Sequence, residues 1–159
     1  MQLLVKHEPS KMCDMVEAID ADLAAGIRLA FRKHGLMATI GATLQTVEVG
    51  RTTIRLPFSK HVTQHDDFVH AGAITAIVDT ACGCAAMTLA PQGTGVLTVE
   101  YKVNFLAPAR GKEYVATGQE LKAGKNLTIC QGSVECVDEG AKVAVAVMLA
   151  TMMIMKKQA

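Results

Sequence analysis

Tryptophan is absent from this 159-residue chain, and only four phenylalanines and two tyrosines are present. Single-stranded nucleic acid is held largely by stacking its bases on aromatic rings, so the composition speaks against such a platform. An excess of one charge is also missing. Sixteen Lys and Arg stand against fifteen Asp and Glu, and a net charge of +1 gives no strong pull toward nucleic acid or an acidic membrane surface. The opening residues, MQLLVKHEPSKMCD, hold no apolar run of signal-peptide length. The cysteines are odd in number, five. Together these features lead us to expect a reducing, cytoplasmic setting with buried free thiols. Cys82 and Cys84 form a C-x-C that matches no common zinc pattern. There is no G-x-S-x-G elbow, no G-x-G-x-x-G and no P-loop.

What is present is aliphatic. Half of the residues are hydrophobic and 19% are charged, the balance of a globular chain. From Ser10 to His34, apolar residues such as Met12, Val16, Ile19, Leu23, Ile27 and Phe31 recur at three- and four-residue intervals. That spacing predicts a helix with Ser10 as N-cap, Gly35 as its stop and Gly26 as a weak point. The period then changes to two in ATIGATLQ and TIRLPF, with a hairpin turn at Gly50 and Arg51 and a strand end or edge at Pro57. After a polar loop comes an apolar helix, expected from about Ala71 to Leu89 and closed by Pro91. Four strands complete the chain: VLTVEYKVNFL, EYVATGQEL, LTICQGSVECV and KVAVAVMLATMMIM. In the first of them Leu97, Val99, Tyr101, Val103 and Phe105 alternate with Thr98, Glu100, Lys102 and Asn104. The last is apolar on both faces and is expected in the sheet interior. Short turns imply antiparallel pairing. The order fits an α+β fold in which a sheet of about six strands wraps one long central helix, with an extra N-terminal helix. We expect one unit over 1–159, with 1–35 as a helical extension.

The central helix holds the anomaly. In HAGAITAIVDTACGCAAMTLA, Asp79 is the one charge after His70. The twenty residues from Ala71 to Ala90 are long enough to cross a membrane, but a carboxylate at the centre is expensive there. A buried helix is expected instead. Burying an unpaired carboxylate is costly, so Asp79 either meets a Lys or Arg, caps a broken helix or does chemistry. The start of the helix at His70, Ala71 and Gly72 supplies unpaired N–H groups and the positive dipole end, a place for a developing oxyanion. Asp79 lies eight residues beyond Ala71, about 12 Å by helix rise. One small reacting group cannot easily touch both in one chain, whereas a symmetric dimer would bring one helix start to the other Asp79. His61, His65, Asp66 and Asp67 are metal-ligand types, but their loop has no helical periodicity to aim them together. A solvated polar loop and no metal are expected.

Two stretches resemble a known family. FVHAGAITAIVDTACGCAA is similar to the signature of hotdog-fold acyl-CoA thioesterases of the phenylacetate-pathway (PaaI-like) type, and GVLTVEYKVNFLAPARG to that family's strand after the helix. The resemblance covers roughly 36–155. It implies that Asp79, nine positions after His70, is nucleophile or general base. It implies that the N–H of Ala71, where the family usually has glycine, meets the thioester oxygen beside Gly72. It further implies Gln64 as a polar group near the thioester, Thr98 as an assisting hydroxyl, and His70 as an organiser of the loop. No cofactor is implied. Acyl-CoA or aryl-CoA would be the substrate, with no nucleic acid or membrane partner, and the protein would assemble as a dimer or tetramer. Side chains such as Phe58, Phe68 and Met87, together with the partner subunit, are expected to shape the acyl pocket. The alternatives are a non-catalytic acyl-CoA-binding protein, which has little use for a buried carboxylate, and a hydratase, whose acid–base pair the order of His70 and Asp79 does not match.

Overall fold

The computed structural model describes residues 18–156. Their elements run α1 (Ala21–Arg32), α2 (Gly35–Ile40), β1 (Thr43–Glu48), β2 (Arg51–Pro57), a short 3-10 turn (Lys60–Val62), α3 (Ala71–Met87), β3 (Thr94–Phe105), β4 (Glu113–Ala123), β5 (Leu127–Asp138) and β6 (Ala141–Lys156). All neighbouring strands are antiparallel, in the order β1-β2-β4-β5-β6-β3. This is the six-stranded sheet around a central helix expected from the sequence. β6 is an interior strand, as its apolar run implied.

The helix α3 lies against the concave face of the sheet. Ile74, Ile77, Val78, Ala81 and Cys82 are buried on its inner side. Each large aliphatic among them contributes roughly 1.5–3 kcal/mol by leaving water. The approach is close because two glycines lie beneath the helix. Gly118 of β4 pairs with Gly132 of β5. A Cβ on Gly118 would fall 2.3 Å from the Ala81 carbonyl carbon, and one on Gly132 would fall 2.4 Å from Cγ2 of Val78. Hydroxyls fasten the helix to the first hairpin. Thr52 donates to the Ala81 carbonyl at 2.8 Å, and Thr88 accepts from Gly50 N at 2.7 Å. The apolar helix is thus a core element. At 17 residues it is too short to span a bilayer, and no helix among the described residues is long and apolar enough to do so.

The N-terminal part differs from expectation. Ser10 and the start of the predicted helix lie outside the described residues. Within them α1 begins at Ala21, with Asp20 Oδ1 accepting from Leu23 N at 2.9 Å. Asp is a strong N-cap, and its side chain ends the helix that the apolar spacing alone carried further back. Gly26 lies inside an unbroken helix. Gly35 is not a stop: the helix ends at Lys33, and Gly35 opens α2. The stop of α2 is Gly41, left-handed at φ 75°, so Ala38, Thr39 and Ile40 are helical and the strand starts only at Thr43. A glycine that closes a helix here mimics, in sequence, a residue of an alternating strand. The first hairpin turns at Val49 and Gly50, with Arg51 already in β2. Glu139 and Gly140 both have positive φ, as the tight turn between β5 and β6 needs.

Candidate active site

Asp79 projects from the open side of α3. The helix runs unbroken through it, and no Lys or Arg among the described residues pairs with it. Among the described residues, neither a cation nor a helix break accounts for the carboxylate. Its hydrogen-bond partner is Thr98, whose hydroxyl donates to Oδ1 at 2.8 Å. Partial burial pushes the Asp79 carboxyl above its ordinary range, while the Thr98 bond and the charge of His34 pull it partly back.

Thr98 reaches the carboxylate through an irregularity. Strict alternation would put Thr98 on one face with Glu100, and Leu97 with Tyr101 and Val103. Instead Thr98 pairs with Met152 and Glu100 with Thr151, leaving Val99 as an extra residue in β3. Such a bulge shifts the facing of the later strand residues by one position. Thr98 thus shares the helix-side face of the sheet with the buried Met152, and Glu100 turns out to meet Thr151 at 3.1 Å.

The other predicted residues gather at the start of α3. Gln64, His70 and Ala71 line one cavity of about 470 Å3 with Phe68, Ile74 and Phe105. His70 is the N-cap, and its Nδ1 accepts from Gly72 N at 2.8 Å. That bond places the ring proton of the neutral imidazole on Nε2. It also commits the Gly72 amide, whereas the N–H of Ala71 finds no acceptor among the described residues. Gly72 is small for a reason: a Cβ there would lie 3.0 Å from the His70 ring nitrogen. Gln64 is held in its loop by backbone bonds, its N–H donating to the Phe68 carbonyl at 2.8 Å. Asp79 and Thr98 do not line this cavity. Each chain therefore brings together two halves, one at the helix start and one two turns on.

The residues expected to shape an acyl pocket do not converge. Phe68 lines the cavity at the helix start and lies under Arg110, 5.4 Å from ring to guanidinium. Phe58 belongs to a separate surface hollow with Arg110 and Lys112, and Met87 to a third, between α1 and the end of α3. The loop histidines and acids also disperse. His65 meets Asp66 at 3.2 Å, while Asp67 faces Lys60. Cys82, Cys84, Cys130 and Cys136 are buried free thiols, and Cys13 lies outside the described residues. Burial pushes the Cys84 and Cys130 thiols up to about 12 and Cys82 up further, so none is a ready nucleophile. Sequence reasoning does not single out His34. It ends the α1–α2 break, stacked on Phe31 at 6.1 Å. Its one signal in the sequence is its place beside the expected helix stop at Gly35.

A sheet wrapped around a helix that carries a half-buried carboxylate and an open N-terminal amide defines a hotdog-type thioester hydrolase. Comparison with known proteins agrees. The thioesterase superfamily model matches residues 67–142. A crystal structure of a thioesterase family protein from Silicibacter pomeroyi is 36% identical, with TM-score 0.83, over 85% of this chain and 99% of that one. The chain belongs to the thioesterase superfamily. The 1,4-dihydroxy-2-naphthoyl-CoA hydrolase of Listeria monocytogenes is 25% identical over 68% of this chain and 86% of that protein. The PaaI protein of the E. coli phenylacetic acid degradation operon shares the fold, with TM-score 0.75 at 15% identity over 86% of this chain and 95% of that one.

Proposed function

We propose that the protein hydrolyses acyl-CoA or aryl-CoA to free CoA and a carboxylic acid, with Asp79 as the reacting carboxylate. The observation that carries this reading is a half-buried Asp79 held by a hydroxyl, with no Lys or Arg among the described residues paired to it. The Ala71 N–H at the helix start polarises the thioester carbonyl, and Asp79 attacks it or deprotonates water. Gln64 borders the thioester, Thr98 aims the carboxylate, and His70 orders the helix start. The two halves lie about 12 Å apart along α3 by helix rise. A second copy of the chain completes each site, its helix start facing this chain's Asp79. β3 favours that assembly, because it is a sheet edge of 12 residues that exposes Leu97, Val99, Tyr101 and Phe105. A reducing, cytoplasmic setting goes with this reading, since the four described cysteines remain thiols.

The test is thiol release from short, long and aromatic acyl-CoAs by wild type and Asp79→Asn. Turnover by wild type and a loss of at least about a hundredfold in the variant is the expected result. Binding of acyl-CoA by wild type without release would leave an acyl-CoA-binding protein instead.

A further inference from the structure

We propose that the cleft beneath α1 and α2 receives the far end of the acyl group and selects acyl chains that end in a carboxylate, held by Arg32 and His34. This rests on the reading of Asp79 as the reacting carboxylate, and it names the substrate class for that site.

The cleft has a volume of about 360 Å3, within the usual range for small-ligand pockets. Its floor is apolar, from Phe31, Ala42 and Leu44, and its rim carries Arg28, Arg32 and His34 with no acidic residue among those that line it. Arg28 is pinned, donating to the carbonyls of Leu44 at 3.4 Å and Gln45 at 3.2 Å. Arg32 has no ion-pair or hydrogen-bond partner among the described residues. His34 is oriented by its stack on Phe31. An apolar trough ending in a guanidinium and an imidazole suits a hydrocarbon body with a terminal carboxylate, which a guanidinium grips by two parallel bonds.

The cleft also lies in the right place. The helices α1 and α2 that form it both pack on α3, the helix that carries Asp79. In the proposed arrangement, the far end of a short acyl chain sits at this rim. The phosphates of CoA are a full pantetheine arm from the thioester, and the cavity at the helix start, with Arg110 near its mouth, leaves them another exit. Each chain would thus hold the acyl end of one substrate and the CoA arm of another.

The experiment compares adipyl-CoA with hexanoyl-CoA, equal in length and different at the far end, with phenylacetyl-CoA as a third substrate. Wild type is expected to favour adipyl-CoA by about tenfold or more in kcat/KM, mainly through KM. Arg32→Glu is expected to reverse the preference, whereas Lys156→Glu, the same charge change at the end of β6, leaves it intact. Equal rates for the pair while any thioester is turned over would overturn the proposal. So would an Arg32→Glu effect confined to inhibition by free CoA, which would mark a phosphate site. If no thioester is hydrolysed, the hydrolase reading fails, and the cleft is judged separately by NMR titration of His34 and Arg32. Shifts with free adipate but not hexanoate would support it, and shifts with neither would overturn it.

Discussion

The two sides of α3 are built to different rules. On the inner side, Ala81 and Cys82 sit so close to β4 and β5 that Gly118 and Gly132 leave no room for a methyl group. On the outer side, a Cβ on Gly83 would meet nothing within 4 Å, and Asp79 stands half-buried with a single hydroxyl partner. One side is packed to the limit and contributes stability. The other is left open and carries a group whose ionised form burial disfavours. The contrast suggests that the inner side holds the helix still so that the outer side can tolerate an unfavourable charge.

The comparison breaks most visibly at Gly118. Gly118→Val places side-chain atoms within the helix backbone of Ala81, and a loss of about 3 kcal/mol or more is expected in denaturant unfolding. On the open side Asp79→Asn should act in the opposite sense. The folded-state pKa of Asp79 lies above its unfolded value, so protonation favours folding, and the ionised residue weakens the fold as pH rises through that folded value. The asparagine variant should therefore match or exceed wild-type stability at pH 7 while losing its activity.

Ala71→Pro sharpens the picture at the helix start. Proline suits the first position of a helix, and the extended His70 accepts a following proline. The change removes one N–H and little else. A fall of about a hundredfold in kcat with an unchanged melting temperature is expected. Thr98→Ala should have the smallest effect, about tenfold in kcat/KM, from the loss of one hydrogen bond to a charged group. That bond holds the Asp79 carboxyl down, so its removal should move the acid limb of the pH–rate profile upward. In wild type that limb is expected above the ordinary carboxylate value, with activity falling as pH drops through it.

Much of this was legible in the residues. A lone carboxylate in an apolar helix marked Asp79, and periodicity with short turns marked the sheet around α3. The pairing of Thr98 with Asp79 was not readable from alternation, because one unpaired residue at Val99 moves Thr98 to the helix side. The glycine pair at 118 and 132 matters only through register, which links residues distant in sequence. His34 was hidden because the expected helix simply stopped there, at Gly35, and nothing in the spacing announced the second helix that follows His34. Within one chain the residues expected around the acyl group do not meet, for a related reason. Size and apolarity singled out Phe58, Phe68 and Met87, but the fold sends them to three separate hollows.

The central claim is that Asp79 of one chain works with the Ala71 amide of another. Complementation tests it most directly. Asp79→Asn and Ala71→Pro are each purified, mixed in equal amounts, dissociated and reassociated, and assayed for thiol release, with mixed assemblies counted by native mass spectrometry. If each site draws its two halves from two chains, random mixed dimers carry one intact site each, and activity should return to about a quarter of wild type. If mixed dimers form and no activity returns, the two halves serve within one chain, and the account of the site is wrong.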